Sequence, residues 1–121
     1  MLKDVLVPIN RAGNPFIAIF AVVTALLFMW WDPAGLVGVV LTAWCVYFFR
    51  DPDRTTPDAE NLVISPADGV VQSVVQAVPP PELELGTEPM TRVAVFMNVF
   101  NVHVNRVPMS GVITAKHYRP G

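Results

Sequence analysis

"FIAIFAVVTALLFMWWDPAGLVGVVLTAWCVYFFRDPDR", Phe16 to Arg54, decides the fold. Residues 16–31 carry no charge and residues 36–49 carry none; between them stands "DPAG", whose Asp, Pro and Gly punctuate a turn. Two uncharged runs joined by a turn predict a helical hairpin. Each run is somewhat shorter than the ~20 residues a bilayer-crossing helix needs. Flanking residues extend them: Pro15 suits a helix start, and Trp30, Trp31, Trp44 and Tyr47 suit a membrane interface. A secretory signal fits poorly, because a long mixed stretch precedes the first run, no small-residue cleavage site follows it, and a second run comes at once. The alternative is a buried hairpin in a soluble protein. Helices that are apolar all round then need a large core, which a chain of 121 residues does not supply.

Charge sets the expected orientation. Lys3, Arg11, Arg50 and Arg54 lie outside the hairpin and only Asp32 lies in its turn. By the positive-inside rule both hairpin ends, and the residues that follow, face the cytoplasm at the cell membrane. A hairpin that dips into the membrane without crossing it satisfies the same pattern. The composition agrees with membrane contact: 53% of residues are hydrophobic and 15% charged, against roughly 45–50% and about 25% in soluble domains. The net charge of −2 offers no basic field for nucleic acid. Cys45 is the only cysteine, so no intrachain disulfide and no cysteine metal cluster can form; it reads as an apolar filler of the hairpin.

The character changes after Arg54. "TTPDAEN" is a polar linker, "LVIS" (62–65) reads as a short strand, "PADG" (66–69) as a turn, and "VVQSVVQAV" (70–78) as a β-branched, alternating strand. The Pro-rich stretch 79–89 is a loop, in which Glu82, Glu84 and Glu88 are solvated. "TRVAVFMNV" (91–99) is the strongest strand, and "GVITAKHY" (111–118) reads as another after a turn at Pro108–Ser110. The expected fold class is therefore α+β. Residues 1–54 form a membrane-associated helical hairpin with its flanks, and residues 55–121 a small, mainly antiparallel β-domain.

No phosphate-binding loop, dinucleotide glycine fingerprint, zinc pattern or nucleophile elbow occurs. What remains is a set of polar residues at strand ends: Asp68, Asn98, Asn101, His103, Asn105 and Arg106. Asp68 before Gly69 is ordinary turn chemistry on local grounds. Period-two alternation puts Asn101, His103 and Asn105 on one face of a strand and Val102, Val104 and Arg106 on the other. A lone strand histidine is commonly structural, but three polar side chains on one face point to a site. Arg106 either snorkels to water or holds a phosphate or carboxylate with its planar fork. His117 has no polar constellation around it and reads as structural.

Four stretches in order, "FFRDPDRTTP" (48–57), "ISPADGVV" (64–71), "FMNVFNVHVNRVPMSGVI" (96–113) and "HYRPG" (117–121), resemble the short, membrane-associated (archaeal-type) class of phosphatidylserine decarboxylases. The resemblance runs through essentially the whole chain. It implies a pyruvoyl-dependent enzyme of phospholipid synthesis, made as a proenzyme that cuts itself at a Gly–Ser bond, with no metal. The serine becomes the pyruvoyl group, whose carbonyl forms a Schiff base with the substrate amine and acts as electron sink for loss of CO2. A protein acid then returns a proton to the former α-carbon. Carried onto this chain, the resemblance gives Asp68 a role in self-cleavage and sets His103 near the pyruvoyl group, as proton donor or as shaper of the carboxylate pocket. Asn101, Asn105 and Arg106 are expected to bind or position the phospholipid substrate. Longer relatives carry a second histidine at the position of Arg106; its absence here fits the short class.

One departure matters. Ser65, Ser73 and Ser110 do not stand in a Gly–Ser context, and in "SG" at Ser110–Gly111 the order is reversed. The expectation is thus an N-terminal portion with an incomplete sheet, inactive alone, whose partner is a pyruvoyl-bearing small chain or a missing C-terminal half. Two other readings stay open: a non-catalytic, membrane-anchored fragment that binds lipid or a partner, and one half of a split enzyme. In either case an unfinished sheet exposes strand edges that other strands should cover.

Overall fold

The computed structural model describes residues 7–121; Lys3, counted above for orientation, lies outside the described residues. A 3-10 turn at Arg11–Gly13 leads into helix α1, Asn14–Trp30. The Asn10 side chain caps this entry by accepting from the Ala12 amide at 3.0 Å, and Pro15 occupies the first helical turn, where its missing N–H costs nothing. The stretch Arg11–Trp30 is 20 residues long with a mean hydropathy of 2.0, enough by length and composition to cross a membrane. Helix α2, Asp32–Phe48, has 17 residues, roughly 25 Å at 1.5 Å per residue and so short of a ~30 Å hydrocarbon core.

The hairpin turn is tighter than the sequence suggested. Asp32, Pro33, Ala34 and Gly35 are already the first turn of α2, and the chain reverses at Trp31 alone, whose backbone is extended (φ −163°, ψ 120°). Proline fits a first helical turn as well as it fits a reverse turn, and Asp32 there faces the positive end of the helix dipole.

The two helices touch through small and hydroxyl-bearing residues. A Cβ on Gly35 would lie 2.3 Å from the Phe28 ring, so only glycine lets that ring lie across α2. Thr24 and Thr42 meet at 3.0 Å between their hydroxyls, and each oxygen also lies within hydrogen-bond distance of a carbonyl one turn back, Phe20 and Gly38 respectively; with one hydrogen per hydroxyl, one threonine donates across the helices and the other to its own carbonyl. Hydroxyl contacts between apolar helices contribute about 0.6 kcal/mol each. Thr24→Val should therefore lower the stability of the hairpin in detergent by about that much, without changing its helicity by circular dichroism. The outward faces stay apolar and exposed, as at Val22, Leu26 and Val40. At the base of the hairpin the flanks pair: Asn10 N–H donates to Phe49 at 2.9 Å and Asp51 N–H to Pro8 at 2.7 Å.

Strands β1, Val70–Ala77, and β2, Met90–Phe96, form a two-stranded antiparallel sheet. The register runs from Val70 opposite Phe96 to Ala77 opposite Met90, with a bulge between Val71 and Ser73. Gln76 donates across the pair to Thr91 Oγ1 at 2.9 Å. Gly69 delivers the chain into β1 so close to β2 that a Cβ there would lie 2.2 Å from the Phe96 carbonyl oxygen. Glycine at position 69 is thus required by this close approach rather than by a left-handed turn.

Two expected strands do not form. Residues 62–66 and 106–108 lie side by side: Ile64 N–H donates to Pro108 at 3.0 Å and Arg106 N–H to Pro66 at 2.9 Å. These are alternate pairs of an antiparallel ladder, and each has lost its reciprocal bond because one member is a proline without an N–H. Residues 111–118 have no backbone partner among the described residues, so β-branched composition alone does not make them a strand. The segment that follows is tied back by Arg119, which pairs with Glu82 and holds its carboxyl below the usual range.

Candidate functional site

The site forms where α2 ends and the loop after β2 folds back on it. Trp44 Nε1 donates to the Val99 carbonyl at 3.2 Å, and Arg50 Nη2 donates to the Phe100 carbonyl at 2.8 Å. The Arg50 guanidinium also lies 3.6 Å from the centroid of the Tyr47 ring, a cation–π contact at the helix end. Between these anchors Val102 is buried to 2% exposure, the deepest side chain of the loop. That burial fixes the phase of the residues around it.

The turn before Val102 is built by two asparagines. Asn98 Oδ1 accepts from the Phe100 amide at 2.8 Å, and Asn101 Oδ1 accepts from the Asn98 amide at 2.9 Å. The Asn101 side chain is therefore engaged in holding the turn, and its carbonyl receives the His103 ring at 2.9 Å through Nδ1. A carbonyl oxygen only accepts, so Nδ1 carries the hydrogen and the neutral ring keeps its lone pair on Nε2. The other side of the imidazole is stacked on Phe48, centroids 4.0 Å apart and planes 21° from parallel.

Asp68 and Arg106 are brought to one cavity, of about 230 Å³, with Arg54, Ser65 and Val104 among its lining residues. Arg54 directs both Nε (3.2 Å) and Nη2 (3.0 Å) at Oδ2 of Asp68. Both side chains are more than 40% exposed, so the pair contributes at most about 1 kcal/mol to stability. Its effect is orientation: one carboxylate oxygen is occupied and the other is left to act. Ser65 Oγ is engaged with the Ala67 carbonyl at 2.7 Å in the bend that carries Asp68.

Arg106 Nη2 donates to Asp51 Oδ1 at 2.7 Å and to the Pro52 carbonyl at 2.8 Å, while Asn10 Nδ2 reaches Asp51 Oδ2 at 3.3 Å. The guanidinium thus joins the loop to the C-terminal flank of the hairpin, and Asp51 passes the link on to Asn10 of the N-terminal flank. Hydrogen bonds to charged groups contribute about 1.5–3 kcal/mol when shielded. Here the two side chains are 37% and 32% exposed. Arg106→Ala should accordingly cost about 1–2 kcal/mol and open residues 97–110 to limited proteolysis.

His103 and Asn105 line a second cavity, of about 290 Å³, walled by Asn10, Ala12, Phe48, Phe49 and Val104. Val104 lines both cavities. The structure thus pairs Asp68 with Arg106 and His103 with Asn105, while Asn101 lines neither space and reaches the site through its carbonyl. Arg54 and Asp51, the partners of Asp68 and Arg106, were missed as site residues. The alternating charges of "RDPDR" are their only trace in the sequence, and that stretch serves there for orientation and for the resemblance, not as part of the site.

Comparison with known proteins bears on the chemistry. The family model for phosphatidylserine decarboxylase matches residues 41–121. The chain is 60% identical over all 121 of its residues to the phosphatidylserine decarboxylase proenzyme of Cereibacter sphaeroides, and it covers 52% of that protein. It thus spans about half the length of the curated relative it matches. No solved structure matches the chain.

Proposed function

The chain belongs to the phosphatidylserine decarboxylase family, and from that premise we propose that it is the N-terminal part of a pyruvoyl-dependent decarboxylase that converts phosphatidylserine to phosphatidylethanolamine and CO2. The observation that carries the reading is the 60% identity to a decarboxylase proenzyme across every residue of this chain. Residues 1–54 serve as a membrane hairpin with both ends in the cytoplasm, and residues 55–121 as part of the catalytic domain. A site built on the end of α2 suits a lipid substrate, whose headgroup then stays near the membrane surface.

The residues present fit a pyruvoyl group. The cavity beside His103 is small, at about 290 Å³, and combines apolar walls with the amides of Asn10 and Asn105, a setting that suits one compact carbonyl. When bound, the pyruvoyl group supplies an electron-withdrawing carbonyl. His103, with its Nδ1–H tied to Asn101, has the Nε2 lone pair free to take up a proton from water and pass it to the carbon that loses the carboxylate. Asn105 orients the substrate by its amide, and Phe48 and Phe49 exclude water from one side. Arg106 supplies positive charge beside Asp68, which takes part in self-cleavage rather than in decarboxylation. The serine that becomes the pyruvoyl group is expected outside these 121 residues, since none of their seven glycines precedes a serine.

The test is CO2 release from carboxyl-labelled phosphatidylserine in vesicles. The 121 residues alone should release none, and the same residues produced with the remainder of the proenzyme should be cleaved and release it. Activity of the 121 residues by themselves would overturn the proposal. So would a cleaved, complete protein that leaves phosphatidylserine intact.

A further inference from the structure

The last turn of α2 does more than end a membrane helix. Phe48 closes that helix, and its ring carries the imidazole of His103 at a centroid distance of 4.0 Å. Phe48 is itself held by Trp44 (5.5 Å) and Phe49 (5.1 Å), and Phe49 stacks on Phe16 of α1 at 5.5 Å. A continuous aromatic row therefore runs from the base of both helices to the histidine. The loop is docked on the same helix end by the Trp44 bond to Val99 and the Arg50 bond to Phe100. The imidazole meets a ring on one side and a carbonyl at Nδ1, two constraints that together fix its plane and its tautomer.

We infer that Phe48 is a positioning residue for His103, so that the apolar hairpin is a wall of the site as well as an anchor. The catalytic consequence rests on the decarboxylase reading above; the positioning itself does not. A ring rotated or tilted from this seat presents Nε2 in the wrong direction, and misplacement of a reacting group by about 1 Å costs on the order of 10²-fold in rate. An aliphatic side chain fills the space but supplies no flat surface. The stack therefore predicts a requirement for an aromatic ring and not merely for volume.

The experiment uses the whole chain in lipid nanodiscs with 15N- and 13C-labelled histidine. His103 and His117 are the only two histidines, and His117, exposed in the C-terminal segment, serves as the internal reference. The His103 ring protons should resonate upfield of those of His117 because of the Phe48 ring current. The His103 nitrogens should report the hydrogen on Nδ1 that the Asn101 carbonyl accepts. Phe48→Leu should abolish the upfield shift and release the tautomer preference, and Phe48→Tyr should retain both. In the complete, cleaved protein Phe48→Leu should lower kcat by up to about 10²-fold with little change in KM, and Phe48→Tyr should restore it. Equal ring shifts for the two histidines in the unsubstituted chain would overturn the inference. Loss of kcat with an unchanged His103 spectrum would overturn it too. The spectra need no substrate, so an inactive protein with the predicted shifts would sink the decarboxylase reading while leaving the positioning of His103 intact.

Discussion

Replacing His103 with alanine in the complete, cleaved protein should slow CO2 release by about 10²–10⁴-fold, the range for removal of a positioned general acid. That corresponds to roughly 3–5 kcal/mol of barrier. The effect on folding should be much smaller. His103 contributes one aromatic stack, typically about 0.5–1.5 kcal/mol, and one half-buried hydrogen bond to Asn101. A variant that remains folded and membrane-bound yet loses most of its turnover separates the two contributions. The loss should fall on kcat, because the proton is needed after the substrate has bound; a KM effect alone would make His103 a binding residue. His103→Gln keeps a polar group of similar length but cannot donate a proton that it recovers at neutral pH, so it should be nearly as slow as alanine. The measurement is turnover of labelled phosphatidylserine across a substrate series. A loss of less than about tenfold for both variants would remove His103 from the proton-transfer role.

The parts of this molecule that follow from local pattern were legible in the sequence. The absence of charge over 16–31 and 36–49 located both helices, and β-branched alternation located β1 and β2. Pattern failed where one residue type serves two purposes. Pro33 punctuates a turn or opens a helix with equal ease, and here it opens α2, which moved the reversal to Trp31. Pro66 and Pro108 leave their neighbourhood extended while removing the donors that would make it a strand. Residues 111–118 have strand composition without a strand beside them, and composition carries no information about a partner.

The same division holds for the site. His103 and Arg106 stand out because polar residues interrupt an apolar stretch, whereas Asp68 passes locally for turn chemistry and gains its role only from the resemblance. Their partners do not stand out, because nothing in a linear pattern joins Arg106 to Asp51 across 55 residues or Asp68 to Arg54 across 14. Alternation also misjudged Asn101. In an unpaired loop the face of a side chain is set by whichever residue is buried, here Val102, and by the turn that Asn98 and Asn101 build themselves.

Asp68→Asn should leave the complete proenzyme uncut. Among the described residues the carboxylate is the only acidic group lining its cavity, beside two guanidinium groups, and in the proposed reaction it takes the hydroxyl proton of the serine that attacks the preceding peptide bond. An amide cannot take that proton, and loss of a general base costs about 10²–10⁴-fold. On a denaturing gel the variant should run as one uncleaved band through times at which the unsubstituted protein is fully processed, and it should release no CO2. The fold should persist, since an exposed pair with Arg54 contributes at most about 1 kcal/mol. Arg54→Ala provides the graded comparison. It removes both hydrogen bonds to Oδ2 but leaves the base in place, so cleavage should be slowed by less than in Asp68→Asn and should still reach completion. Once cleaved, the Arg54→Ala protein should turn over phosphatidylserine near the unsubstituted rate, because Arg54 lines the cavity of Asp68 and not that of His103. Slow processing with normal turnover assigns the Arg54–Asp68 pair to maturation, whereas normal processing with slow turnover would move Asp68 into the decarboxylation step.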